Sequence, residues 1–541
     1  MSQTSYRRTV AALTVLLGAV MALWAVLTPG FRAPDEPQHY NSVMRVATGG
    51  GWPAPGTAMI SDATLIATRE AGFSRQDQGI GMFTASLLPR GTLQGWGADF
   101  VELQPSDPAQ RSVLDHTANL QDEIAPSHDQ MTQHPPLYYG LMGGLVALLG
   151  GDGWRWDVQL LFMRLVDAFI AMWSVPLVAA TARRVVGSAT AGVVAGAGVV
   201  GIGQFAHINA AVTNDSLTTV LGLGVTYLAA RALTGRHTTG LVVVTGVTLG
   251  LGLLTKGFLL AAIPVVALAF VLGRAGNPRT GRRWLSAFAA LAVAFVVGGW
   301  WWARNLLVHG TLQPSGMPTP RMDWGDQTPT AVEFVPEAFE RLNRSIWGNF
   351  GWLEVPLPFW LEMTLGILLV VLVVAAVVVP SPERRPMAVL LVLPVGTLAV
   401  VMAGSVAHYS STGLFGGLQG RYLFSGLAAM LTAVAWSLTR GTRRIAPRFV
   451  RWLPLASVVT ALALAAFSVV WAFQAFYQPY DGSVSDAVVR WGSWSLLTTP
   501  WLAVTVVAPA VLGVAALVLA RPGARADEPR PAGELALHQR G

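Results

Sequence analysis

The feature that most constrains this chain is a succession of apolar runs, each close to the length of a bilayer crossing. They lie near residues 9–28, 137–150, 158–180, 187–205, 216–233, 239–254, 257–273, 284–303, 361–380, 387–404, 422–438, 453–474 and 500–520. A helix needs about 20 apolar residues to cross the hydrocarbon core. Separate apolar segments of that length cross lipid only as helices, because each must satisfy its own backbone hydrogen bonds. Composition agrees: 53% of the 541 residues are hydrophobic and 12% are charged, where a soluble domain carries about 25% charged residues. The expected fold class is an all-α polytopic membrane protein.

The net charge of +7 does not point to nucleic acid, because the basic residues are dispersed among short loops. Arg183/Arg184, Arg231/Arg236, Arg274/Arg279/Arg282/Arg283, Arg384/Arg385 and the group Arg440, Arg443, Arg444, Arg448, Arg451 belong on the cytoplasmic side by the positive-inside rule. The loops around Asn214, Lys256, 304–360, 405–421 and 475–499 then face outward. The absence of cysteine removes disulfides, thiolate catalysis and Cys-ligated metals.

The expected organisation is an N-terminal signal-anchor helix over 1–28, an external loop with short helices over 29–136, membrane helices over 137–303, a second external loop over 304–360, C-terminal membrane helices over 361–520 and a disordered cytoplasmic tail over 521–541. The run at 137–150 is short and glycine-rich. An odd number of crossings must join the first external loop to an internal Arg183, so this run reads as a half-helix or re-entrant piece. About twelve full spans remain, or thirteen if it crosses.

Polar residues at membrane depth are costly and usually functional, and the best candidates fall on the outer face. Pro34 and Pro37 bracket Asp35 and Glu36 just after the first span. Two carboxylates pinned there can serve as a general base or ligate a hard cation, or can cap a helix beginning near Gln38. His39 and Tyr40 fit either version. His134, before Pro135 and Pro136, reads as structural or as a donor to phosphate or a substrate hydroxyl. Asp215 in Thr213-Asn-Asp-Ser216 reads as a cap or a site acid. Lys256 stands outside against the charge rule, either snorkelling to headgroups or binding a lipid phosphate. Arg304, after the aromatic belt Trp300-Trp-Trp, and Arg421, in Gln419-Gly-Arg-Tyr422, occupy the same rim, and arginine grips phosphate well. Arg164 and Asp167 share one helix face and are expected to pair with each other.

In this order the motifs resemble the GT-C superfamily of membrane glycosyltransferases, and most closely a bacterial, actinobacterial-type multi-spanning branch of it. The resemblance rests on Asp35-Glu36, His134-Pro-Pro-Leu137, Asn214-Asp215, Thr255-Lys-Gly257 and Gln419-Gly-Arg-Tyr422, and covers roughly residues 9–440. It implies a GT-C-like bundle and transfer of a sugar, with inversion, from a polyprenyl-phosphate donor to an acceptor. It places Asp35 and Glu36 as the catalytic acids, Lys256, Arg304 and Arg421 at the donor phosphate, and His39, His134 and Asp215 at the substrate. The acceptor is a saccharide, lipid or protein of the cell envelope, and membrane lipids are partners. A divalent cation, Mg or Mn, with Asp35 as a ligand, is left open. The high Ala, Val, Gly and Arg content and low Lys content point to a bacterial plasma membrane with the active site facing the periplasm or cell wall. The alternative is a transporter, flippase or polymerase of lipid-linked saccharides. A transporter would place polar sites near mid-membrane and carry an inverted repeat, and neither is visible in the sequence.

Overall fold

The computed structural model describes residues 1–72, 105–117, 128–273, 280–317, 330–413, 415–479 and 482–522. Arg274, Arg279 and the tail beyond residue 522 lie outside these. Among the described residues, nine helices are long and apolar enough to cross a membrane: Gln3–Leu27, Trp156–Val186, Asp215–Thr234, Thr280–His309, Phe359–Val378, Arg384–Thr412, Gly420–Ile445, Pro447–Tyr477 and Thr499–Ala520. Shorter apolar helices cover Leu137–Leu148, Ala189–Val200, Thr239–Leu253 and Gly257–Leu272. The chain is an all-α membrane bundle, with one two-stranded hairpin among the described residues, Asn349–Phe350 paired with Val355–Pro356.

The first helix is central, with Leu13, Leu16, Leu17, Met21 and Trp24 fully buried. Peripheral helices turn large apolar side chains outward instead: Val370 and Val371 are 56% exposed and Trp501 63%. A soluble protein would not tolerate such a belt, but lipid solvates it. Interior contacts rely on small residues, as expected where lipid gives no hydrophobic drive to associate. A Cβ on Gly298 would lie 2.0 Å from the carbonyl oxygen of Gly250. On the Asp215–Thr234 helix, a Cβ on Gly222 would meet the Cβ and carbonyl oxygen of Ser425 at 2.7 Å, so its absence lets that helix lie against the turn that carries Arg421.

The bundle has two unlike ends. At one end the Arg183 guanidinium reaches Gln3 and lies 4.5 Å from the Tyr6 ring, while Arg184 Nε donates to Thr234 Oγ1 (2.8 Å). The other end carries a polar layer. Its helix Glu36–Ala47 is tied to residues 128–134 through Asp129, whose carboxylate accepts from Asn41 Nδ2 (2.7 Å) and Ser42 Oγ (2.8 Å) and pairs with Arg45 (3.1 Å).

The helix Leu137–Leu148 has 12 residues and rests against Glu36–Ala47; a Cβ on Gly143 would strike the Val43 carbonyl at 2.9 Å. Its first amide, of Leu137, donates to the Leu254 carbonyl (3.2 Å) beside Lys256. After its last turn, Arg155 bridges Val113 of the polar layer. Both ends therefore stay on the polar side. Leu141 and Leu148, 58% and 81% exposed, point outward, as in a helix lying along an interface.

Candidate functional site

Four charged side chains from four separate segments converge in the polar layer. Asp35 follows the first helix, Asp215 opens the Asp215–Thr234 helix, Lys256 lies in the link after Thr239–Leu253, and Arg421 starts Gly420–Ile445. Lys256 Nζ donates to Asp215 Oδ1 (2.5 Å) and Asn214 Oδ1 (3.0 Å). Arg421 Nη2 donates to Asp35 Oδ2 (3.1 Å), and its Nη1 lies 3.5 Å from Asp215 Oδ2. The result is a chain of alternating charge, Asp35, Arg421, Asp215, Lys256, floored by aromatic rings. Lys256 Nζ is 5.2 Å from the Tyr422 ring and 5.5 Å from that of Phe258, and the Arg421 guanidinium is 5.3 Å from Tyr422. Such contacts favour cations held out of water.

Asp35 stands at the cap position of Glu36–Ala47 but makes no cap bond; its carboxylate instead accepts from Arg421 and from Gln130 Nε2 (3.1 Å). Its backbone is left-handed, φ 62 and ψ 11, a conformation that costs a residue with a Cβ about 1–2 kcal/mol and that clusters at functional sites. The Asp35 side chain is 23% exposed, against 7% for Asp215 and Lys256 and 2% for Arg421. It is the accessible member of the set. Arg421 Nε and His134 Nδ1 are buried without a hydrogen-bond partner, and Arg421 Nη1 and Asp215 Oδ2 are buried with only each other, at 3.5 Å. Buried polar atoms are normally satisfied, so these orphans mark the surface that a polar ligand would complete.

Two imidazoles flank the cluster. His39 stacks on Tyr139 with its Nδ1 2.9 Å from the Tyr139 hydroxyl, and Asn214 Nδ2 donates to that same hydroxyl (3.4 Å). Burial, and then the neighbouring Lys256 ammonium, hold His39 well below the usual histidine range and lower His134 to about 3. Both rings are neutral near pH 7 and can donate or accept one hydrogen bond.

The structure thus brings together Asp35, Asp215, Lys256, Arg421, His39 and His134. Lys256 is buried in an ion pair rather than snorkelling, and the Asp215 carboxylate faces cations rather than capping its helix. Three expectations need correction. Glu36 is not a free second carboxylate: it is fully buried and accepts from Arg164 Nε (2.7 Å), Arg164 Nη2 (2.6 Å) and the Val212 amide (3.0 Å). Arg164 therefore pairs with Glu36 rather than with Asp167, which accepts from Tyr138, Ser216 and the Thr213 amide. Arg304 also stands apart, exposed, with its guanidinium 5.3 Å from the Trp301 ring; it turns to the belt, not to the cluster. Gln130, in contact with Asp35, escaped the sequence reading, since nothing in its spacing links it to a residue 95 positions away.

The Asp35 and Asp215 carboxylates already face Arg421 and Lys256, and no group of three acidic or histidine ligands gathers among the described residues. The arrangement suits an anion, which the Lys256 ammonium and the Arg421 guanidinium can hold, beside a carboxylate reachable by a hydroxyl.

In overall structure the chain is similar to ArnT from Cupriavidus metallidurans, crystallised with undecaprenyl phosphate, at a TM-score of 0.42 and 15% identity over 94% of this chain and 76% of that one. It is also similar to the Archaeoglobus fulgidus oligosaccharyltransferase at a TM-score of 0.40 and 12% identity, over 90% of this chain and 56% of the other. The archaeal oligosaccharyltransferase AglB from the same organism, in complex with an inhibitory peptide and a dolichol-phosphate, gives 0.39 and 12% over 85% and 56%. No curated protein matches the chain in sequence. The family described as "Predicted membrane protein (DUF2142)" matches residues 18–431, and the chain, matched over well more than half its length, belongs to that family.

Proposed function

We propose that this protein is an inverting membrane glycosyltransferase that moves a sugar from a polyprenyl-phosphate donor to a cell-envelope acceptor at the outer membrane surface. One observation carries the reading: an accessible carboxylate, Asp35, pairs with the buried Arg421, whose guanidinium keeps nitrogens without a hydrogen-bond partner and faces the Asp215–Lys256 pair. The donor class comes from the motif resemblance, and the outer location from the arginines at the opposite end.

In this reading the donor phosphate lies against Lys256 and Arg421. The acceptor hydroxyl oxygen attacks the anomeric carbon from the face opposite the phosphate, its proton passes to Asp35, and the carbon–oxygen bond to phosphate breaks with its electron pair leaving on the polyprenyl phosphate. A positioned base contributes about 10²- to 10⁴-fold, and fixed cations stabilise the charge that develops on the leaving group. His39 and His134, held neutral, orient sugar or acceptor hydroxyls.

The test is transfer of labelled sugar from a panel of synthetic polyprenyl-monophosphate donors, with purified protein in liposomes and a crude cell-envelope acceptor fraction, comparing wild type with Asp35→Asn. Incorporation that requires Asp35 supports the reading and names the donor. Equal incorporation by the folded variant removes the base; movement or binding of lipid-linked saccharide without incorporation replaces catalysis with transport.

A further inference from the structure

We infer that Arg164 and Asp167, one helical turn apart on the helix Trp156–Ala171, are positioning residues that fix the spacing between Asp35 and the Asp215–Lys256 pair; the inference rests on the proposed transferase reading. Neither touches the four-residue cluster. Each instead grips a different half of its support.

Arg164 uses its whole guanidinium. Nε and Nη2 hold the Glu36 carboxylate, Nη1 donates to the carbonyls of Ala25 (2.8 Å) and Thr28 (2.6 Å), and Nη2 also donates to that of Pro29 (3.0 Å). Those carbonyls are the unpaired end of the first helix and the turn leading to Asp35. Helix ends leave their last carbonyls without internal partners, and here one side chain takes that of Ala25 in the last turn together with those of the cap residue Thr28 and of Pro29 beyond it. Glu36, adjacent to Asp35, also accepts from the Val212 amide (3.0 Å), so the same ion pair reaches the turn that precedes Asn214 and Asp215.

Asp167 holds that turn from the other side. Its Oδ2 accepts from the Thr213 amide (3.3 Å) and the Tyr138 hydroxyl (2.7 Å), and its Oδ1 from the Ser216 hydroxyl. Tyr138 precedes Tyr139, which meets both His39 and Asn214. Consecutive amides, of Val212 and Thr213, are thus read by two carboxylates, one held by Arg164 and one of Asp167. Both Arg164 and Asp167 are buried, 3% and 0% exposed. A buried side chain whose bonds go to the backbone and side chains that carry a neighbouring site defines its geometry, and a displacement near 1 Å can cost on the order of 100-fold in rate.

The experiment measures kcat and donor KM for Asp167→Asn and Arg164→Lys in liposomes, alongside amide hydrogen exchange of the peptide spanning 209–216. Arg164→Lys retains a charge for Glu36 but not the carbonyl clamp; Asp167→Asn replaces one accepting oxygen by an amide donor at nearly constant volume and serves if the lysine variant does not fold. The expected result is a kcat lower by roughly 10- to 100-fold, donor KM within about threefold, and faster exchange at Val212 and Thr213 in protein that is otherwise protected. A purely structural role predicts activity proportional to the folded fraction. Faster exchange with wild-type kcat, or unchanged exchange at both amides, overturns the inference. If wild type transfers no sugar the transferase reading fails, whereas exchange still decides whether these residues hold the turn.

Discussion

Asp35 and Glu36 are neighbours in the chain and opposites in the fold. Glu36 is sealed, and its bonds go to Arg164 and a backbone amide. Asp35 is 23% exposed and answers to Arg421, a guanidinium that keeps two nitrogens unsatisfied. The difference teaches how to separate scaffold from working surface in a polar layer full of ion pairs. Charge and burial alone do not distinguish them, since Arg421 and Arg164 are about equally buried. Completeness of hydrogen bonding does.

The contrast is sharpest in a pair of carboxamide variants. Asp35→Asn should lower transfer by about 10³-fold or more with thermal unfolding in detergent little changed. Glu36→Gln should do the reverse, costing on the order of 3–5 kcal/mol of stability because Arg164 loses its buried partner; equal unfolding curves for the two variants would break the comparison. Lys256→Met comes next. It removes a cation from the unsaturated cluster and should reduce transfer by roughly 100-fold, as seen in a donor titration, while Arg421 stays beside Asp215.

A smaller effect concerns pH. His134 titrates near 6.5 when unfolded and at about 3 when folded, depressed first by burial and then by Lys256. The unfolded chain therefore binds more protons between those values, so stability is complete above about 6.5 and is lost as pH falls toward 3. His134→Asn should flatten that slope in unfolding measured from pH 7 to pH 4. Smallest of all, Arg304→Ala should change transfer by less than about twofold, the usual limit for an exposed substitution; a larger loss would extend the working surface to the aromatic belt.

Much of this was legible because lipid imposes strict rules. Each apolar run predicted a helix, since bilayer thickness fixes length, and polar residues at helix ends on one side predicted Asp35, Asp215, Lys256 and Arg421. What a linear pattern does not carry is rotation about a helix axis and choice among distant partners. Arg304 falls at the same outer rim as Arg421 in the linear pattern, yet its helix runs on to His309 and its side chain turns to the belt. Arg164 and Asp167 share a face at three-residue spacing, which favours pairing in an isolated helix, but Glu36, 128 positions away, offers a carboxylate that the fold carries to Arg164. Gln130 is an unremarkable polar residue until the chain folds it against Asp35.

The left-handed backbone of Asp35 has a consequence for anyone redesigning this protein. Glycine adopts φ near +60° without the steric cost a Cβ incurs, so a search that weighed backbone strain alone would favour glycine at position 35, although Arg421 would lose its carboxylate partner. That search would erase the carboxylate on which the proposed chemistry depends. Position 35 is where selection for robustness and selection for activity would pull the sequence apart, and libraries scored on expression or melting temperature should hold it constant.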